Sequence, residues 1–288
     1  RQQRAHEQAA DGRCARFAMI ELLSRVTREP ALRYLERAPY LNVFLTHVLL
    51  HDPAPPAQRN IAIALDRNAV IGVGYWGRQI ALAAEPSAIA AFAEYGRTRR
   101  GERMIVGDRT TVSAYWNAVR YWHAPPRLVR DRQLVMLIDR SHLRPYDRRI
   151  VVRQAVLGDL SVVADGSAEM VRQELEYDPR RASPEFTAGI RQMIEHKLWW
   201  VGSVDGRLCF FCNVGPWSDA TMQLQGIWTP PPLRGRGLAT ASLTAICDRL
   251  LDVSPTLSLY VNDFNADAIA LYRRVGFEHV GDFQTMLF

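Results

Sequence analysis

Apolar positions along this chain fall into two rhythms, and each predicts a different kind of element. Between Pro30 and Leu50, residues Leu32, Leu35, Leu41, Phe44, Leu45, Val48 and Leu49 recur at helical spacing, with Pro39 dividing the run. Short apolar runs follow: Ile61–Leu65 and Ala69–Trp76 flank Asp66-Arg67-Asn68 and predict a β-hairpin, and Gln79–Ala83 predicts a further strand. Pro86–Thr98 reads as helix, Arg103–Val106 as strand, Thr110–Tyr121 as helix and Leu134–Ile138 as strand.

The second half repeats this order. Arg149–Val156 predicts a strand, and Asp159–Tyr177 and Pro184–Leu198 predict helices. Trp199–Val204 and Leu208–Val214 flank Asp205-Gly206, a strong hairpin turn. Strand Met222–Trp228, helix 237–251, strand Leu257–Asn262, helix 265–275 and strand His279–Leu287 complete the chain. The expected fold class is α/β with a mixed, mostly antiparallel sheet flanked by helices, built by internal duplication. Ala114–Tyr121 of the first copy sits where Ala270–Phe277 sits in the second, with Trp116 near the position of Tyr272. The expected divisions are a polar extension 1–18, a first domain 19–140, a linker 141–148 and a second domain 149–288.

Composition narrows the classes. Hydrophobic content of 48% and charged content of 23% suit a soluble globular protein. No apolar run reaches the ~20 residues of a membrane span, and the first residues lack the apolar core of a secretory signal. A net charge of +6 is compatible with anionic ligands. The arginine clusters Arg97–Arg103 and Arg144–Arg153 are not interleaved with aromatics, so no specific nucleic acid is expected. The four cysteines, Cys14, Cys209, Cys212 and Cys247, are too scattered for a disulfide scaffold. Cys209 and Cys212, three apart on a strand, are expected on opposite faces as buried apolar residues, with no metal bound. His47 and His51 have metal-pair spacing but no third ligand, which leaves ordinary packing. A reducing cytoplasmic setting and no membrane partner follow as expectations.

The densest chemistry lies at Leu224–Thr240. Strand Met222–Trp228 ends in Pro230-Pro231-Pro232, and Arg234-Gly235-Arg236-Gly237 then opens a helix. Free N–H groups in that helix's first turn, its dipole and the two arginines make a seat for a phosphate or pyrophosphate. Arg234-x-x-Gly237-x-Ala239 matches one signature of the GNAT superfamily of N-acetyltransferases. Asn265-x-x-Ala268-x-x-Leu271-Tyr272-x-x-x-Gly276-Phe277 resembles the second, in the expected order. The resemblance covers 149–288, and it makes the first copy a degenerate GNAT-like module that reads Ala84-Glu85-Pro86-Ser87-Ala88 where the turn should stand.

The resemblance implies two tandem domains whose central strands splay at the cofactor site, with acetyl-CoA as donor and a small-molecule or peptide amine as acceptor. It implies that Gly226, Ile227, Trp228 and Thr229 offer backbone groups to the pantetheine arm. Leu233, Arg234, Gly235, Arg236, Gly237, Leu238, Ala239 and Thr240 would hold the pyrophosphate, and Asn265 and Ala268 would touch the cofactor. Tyr272 takes the position of a general acid near the sulfur. Many relatives carry a glutamate on the central strand; here Gln223 and Gln225 stand instead, able to touch an acceptor but not to act as bases. Glu174, Glu176, Glu195 and Asp219 are the remaining carboxylates within reach of such a role, with a water-relayed proton as the expected route. A non-catalytic acyl-CoA sensor uses the same residues without turnover, and a homodimer is compatible with either reading.

Overall fold

The computed structural model describes residues 18–51, 60–99, 103–146 and 149–288. Most of the expected polar extension with Cys14, the prolines 53–56 and the last two residues of the expected linker lie outside these. In the first half, β1 (Met19–Leu22), α1 (Arg25–Leu35) and α2 (Val43–His51) precede β2 (Ile61–Asp66), β3 (Ala69–Trp76) and β4 (Ile80–Ala84). Then come α3 (Ile89–Arg97), β5 (Met104–Asp108), α4 (Arg109–Val119) and β6 (Leu128–Asp139). The second half opens with β7 (Val151–Gln154), α5 (Leu160–Leu175), α6 (Pro179–Ala182), α7 (Phe186–Glu195), β8 (Trp199–Val204) and β9 (Arg207–Trp217). It closes with β10 (Met222–Trp228), α8 (Leu238–Leu250), β11 (Thr256–Asn262), α9 (Ala266–Val275) and β12 (Glu278–Leu287).

Local chemistry sets these boundaries. Arg67 and Asn68 both take positive φ (47° and 71°), as do Asp205 and Gly206 (49° and 74°), so both hairpins close through the tight turn whose twist matches their strands. Ser24 caps α1 in a reciprocal box with Thr27, so the helix starts ahead of Pro30 and carries that proline inside it. The break expected near Pro39 falls between α1 and α2. Strand β6 runs well beyond the expected 134–138, because β11 and β12 pair with its two edges and satisfy the backbone of its polar end.

The twelve strands of the described residues form one sheet, ordered β1-β2-β3-β4-β5-β12-β6-β11-β10-β9-β8-β7. Read from either end, the order is the same with the halves interchanged. In each half, four antiparallel strands lead to a fifth that runs parallel to its neighbour: β5 beside β4, and β11 beside β10. The last strand of each half then crosses over, β12 pairing with β5 and β6 with β11, while β6 and β12 pair at the centre. The repeat expected from the sequence is present in this order. The halves are consecutive in sequence but interlocked in space.

Helices cover both faces. Leu35, Leu45 and Leu49 of α1 and α2 pack on Ile61 and Ile63 of β2, while Ala62 and Ala64 of the same strand face Phe92 and Val112 of α3 and α4. In the second half, Val163 and Ile194 of α5 and α7 meet Trp199 and Phe211, and α8 and α9 cover Leu134, Met136, Ile138, Leu257 and Leu259. Cys209 and Cys212 are buried as expected, but on one face rather than two, both in the core under α8. The register shifts between Gly202 and Ser203, and the extra residue on β9 is Cys209, which the bulge turns over.

The interlocking predicts that residues 149–288 alone do not fold. They would lack Leu134, Met136 and Ile138 from their own core, at about 2–5 kcal/mol for each large buried side chain. That sum rivals a typical net stability of about 5–15 kcal/mol. Circular dichroism and size exclusion of the fragment are expected to show aggregated or non-cooperative material. A monodisperse fragment with a sharp melt would contradict this.

Candidate active site

Strands β10 and β11 pair only at Met222–Leu257 and Gln223–Ser258, then diverge while both continue for several residues. The cause lies on the other edge of β10. Its register against β9 shifts between Gln225 and Trp228, and Gly226 takes a left-handed φ of 58°. Only glycine fits there, because a Cβ would stand 2.6 Å from the Asn213 side-chain oxygen and 3.2 Å from the Trp199 ring. The strand therefore bends toward β9 and leaves a wedge facing β11.

The wedge opens onto the glycine-arginine turn. Arg234 Nε donates to the Thr229 carbonyl at 3.0 Å, and its guanidinium lies 4.5 Å from the Trp228 ring centre, which ties the turn to the end of β10. Gly235 and Gly237 have φ of 73° and 75°, and a Cβ on either would meet open space. No side chain caps α8, whose first internal bond runs from the Ala241 N–H to the Gly237 carbonyl at 3.1 Å. The N–H groups of Leu238, Ala239 and Thr240 thus lie ahead of the helical ladder, where the dipole favours an anion.

The facing wall belongs to α9. The Asn265 side chain caps it by accepting from the Ala268 N–H at 3.2 Å. Ile269, Tyr272 and Val275 form its buried stripe. Tyr272 lies edge-on to Phe277 with ring centres 6.0 Å apart. Burial, with smaller contributions from Cys212 and Glu174, pushes its hydroxyl well above the usual phenol range. Opposite stand Met170, Gln173 and Glu174, which share a face of α5 at helical spacing.

These walls enclose a cleft of about 730 Å³, within the range of small-molecule sites. It gathers Ile227, Trp228, Thr229, every residue from Leu233 to Thr240, Asn265, Ala268 and Tyr272. Gly226, Gln223 and Gln225 do not line it. Gln223 is buried, and the Gln225 side chain donates to it at 2.9 Å. Of the four carboxylates considered above, Glu174 alone lines the cleft; Glu176, Glu195 and Asp219 do not. Met170, Gln173, Asp267, Ala270, Leu271 and Arg274 also line it, although none was expected to touch a ligand. Leu271 is a motif position, and Asp267, Ala270 and Arg274 fall between the motif positions. Met170 and Gln173 carried no signal beyond helical periodicity.

The equivalent point of the first half, between β4 and β5, is closed more tightly. A Cβ on Gly107 would lie 3.5 Å from the Leu82 carbonyl oxygen, so the strands stay close there. Measured from the caps, Tyr115 follows Asp108 as Tyr272 follows Asn265, so Tyr115 and not Trp116 takes the tyrosine position. Its hydroxyl accepts from Trp76 Nε1 at 3.3 Å inside the core. The thiols near the second-half site are also unavailable, since burial pushes Cys212 and Cys247 well above the usual range and keeps them protonated. Among the described residues no cluster of three His, Cys, Asp or Glu could hold a metal ion.

A model of the acetyltransferase (GNAT) family matches residues 168–277, and a model described as a domain of unknown function (DUF4081) matches residues 64–163. A Drosophila protein structure aligns over 94% of this chain and 99% of its own, at 12% identity and a TM-score of 0.66. A GCN5-related N-acetyltransferase from Sphaerobacter thermophilus aligns over 93% and 94%, at 14% identity and a TM-score of 0.58. A tandem GNAT protein from the clavulanic acid biosynthesis pathway aligns over 94% and 98%, at 15% identity and a TM-score of 0.54. At these identities the likeness is one of fold. No curated protein matches the chain in sequence.

Proposed function

We propose that this chain, whose residues 168–277 form a GNAT acetyltransferase domain, transfers the acetyl group of acetyl-CoA to an amine by direct attack in a ternary complex. The observation that carries the reading is the wedge between β10 and β11, which ends on an uncapped helix N-terminus and holds Tyr272 inside. The residues present fit acetyl-CoA. Strand edges free of ladder partners suit the amides of a pantetheine arm, and the left-handed glycines leave room for a pyrophosphate against the N–H groups of α8. Arg234 and Arg236 add charge there.

Bound acetyl-CoA supplies a thioester carbonyl carbon: the amine nitrogen forms a bond to it, the carbon–sulfur bond breaks, and the amine's proton is finally balanced by protonation of the departing thiolate. Ile227 and Trp228 line the cleft, and backbone N–H groups near them suit the charge that develops on the acyl oxygen. Tyr272, kept protonated by its burial, suits the acid that serves the sulfur. The protonated, buried thiols of Cys212 and Cys247 favour direct transfer over an acyl-cysteine route. The Gln225–Gln223 amide pair, standing where a strand carboxylate would act as base, favours a second reading as a non-catalytic acyl-CoA sensor. Among the described residues no helix is long and apolar enough to cross a membrane, and the buried free cysteines suit a reducing, cytoplasmic setting.

Calorimetric titration with acetyl-CoA, followed by thiol release with an amine panel, tests this. Binding with turnover supports the transferase, binding without turnover supports the sensor, and no binding sinks both. Tyr272→Phe is expected to lower kcat about 100-fold with little change in acetyl-CoA affinity, the usual scale for losing a general acid. Because the folded hydroxyl titrates above its unfolded value, Tyr272 remains a donor across the working range. The rate should therefore rise as the acceptor amine loses its proton, with no falling limb from Tyr272 below about pH 10. A falling limb near neutrality that vanishes in the variant would overturn the assignment.

A further inference from the structure

Glu174, on the cleft wall, is paired with a residue from the other half of the chain. Arg130 of β6 donates from Nη2 to Glu174 Oε2 at 3.0 Å. A bulge puts it there: β12 pairs Phe283 with Gln133 but Thr285 with Arg130, so β6 carries one extra residue over that stretch. Arg130 is thereby turned to the face of Gln133 and Tyr260. Glu174 lines the cleft together with Tyr272, while Arg130 stands behind it and is joined to the cleft through this pair.

The pairing is incomplete. The Arg130 side chain is only 15% exposed, yet its Nε and Nη1 donors hold no protein acceptor among the described residues. Glu174 is 46% exposed, and its Oε1 is likewise without a protein donor. A guanidinium that has lost most of its water is stabilised by a carboxylate across its open donors. The two protein charges lie side by side, so a ligand that answers both must carry its own opposite charges on neighbouring atoms.

Resting on the amine-acetyltransferase reading above, we infer that the acceptor is a free α-amino acid, its amine held by Glu174 beside the wedge and its carboxylate by Arg130. A polyamine or a lysine side chain leaves Arg130 facing either nothing or a second cation, which disfavours those acceptors. The first half thus contributes a specificity-determining side chain through its exchanged strand.

The test compares free α-amino acids, their carboxamides and spermidine, by ligand-observed NMR binding and by acetyl-CoA-dependent thiol release. Wild-type protein is expected to prefer the acid over its carboxamide by about tenfold or more, the scale of one charged pair. Arg130→Gln should raise the KM for the acid by about the same factor, leave acetyl-CoA affinity unchanged and erase the preference over the carboxamide. Equal use of acid and carboxamide by the wild type, or turnover of spermidine alone, overturns the inference while leaving the transferase reading intact. Amino-acid binding that Arg130→Gln weakens, in a protein that does not bind acetyl-CoA, sustains the pocket and sinks the transferase reading instead.

Discussion

Gly237→Glu is expected to abolish acetyl-CoA binding while the fold stands. Gly237 is the N-cap of α8 with φ of 75°, and its missing side chain points into open cleft space. A glutamate there sets a carboxylate among the N–H groups of Leu238, Ala239 and Thr240, where it satisfies the helix end and repels a second anion. The backbone cost of a left-handed non-glycine residue is about 1–2 kcal/mol, too little to unfold most domains. The loss of affinity is expected to exceed about 100-fold, because competition for the seat and charge repulsion add. Gly206→Glu supplies the control. Gly206 has nearly the same φ, 74°, and the same open surroundings, but lies in the β8–β9 turn outside the cleft. Equal melting temperatures with unequal calorimetric affinities would place the anion at the 234–240 turn. Equal affinities would remove it from there.

Gly276→Ala is expected to cause the largest loss of stability of any single methyl group named here. Gly276 ends α9 with φ of 122°, and its N–H bonds to the Tyr272 carbonyl at 3.1 Å. A Cβ would stand 2.0 Å from the His142 carbonyl oxygen and 2.9 Å from its carbon. Neither side can yield cheaply. The Arg144 N–H holds the Val275 carbonyl at 3.1 Å, and Asp139 holds the backbone N–H of Ser141 and His142, so the connecting segment is pinned against the helix end. Backbone strain and overpacking together predict a loss of about 4 kcal/mol or more, or a fall in Tm of about 10 °C at the usual conversion for a chain of this size. Gly189→Ala calibrates the measurement: Gly189 lies inside α7 with nothing within 4 Å of a Cβ, and alanine there should stabilise by about 0.5–1 kcal/mol. Calorimetric melts in which both variants behave alike would show that the His142 contact costs nothing.

The features legible in the sequence were those a few neighbouring residues decide. The two hairpin turns, the Arg234–Gly237 turn ahead of α8 and the helix that follows Asn265 each follow from φ preferences or spacing within one or two turns of chain. Even Gly276 was legible as a motif position, although its reason, the His142 carbonyl, was not. Two readings that failed share one cause. Cys209 and Cys212 share a face because β9 carries a bulge opposite β8, and Tyr115 rather than Trp116 holds the tyrosine position because the helix cap sets the register. Both depend on a partner that alternation along a single segment does not contain.

The sequence by itself therefore determined the elements, the glycine-arginine turn ahead of α8 and the family signature, since each is a property of local backbone geometry. Only the tertiary structure decided that β6 and β12 change places and that α5 walls the cleft opposite Tyr272. It alone decided that a bulge brings Arg130 to Glu174 across 44 residues of chain. The physical reason is that a strand's alternation says which of its faces is buried but not which edge it will meet. That choice is made by hydrogen-bond pairing between segments far apart in the chain, and it set β6 of the first half between two strands of the second.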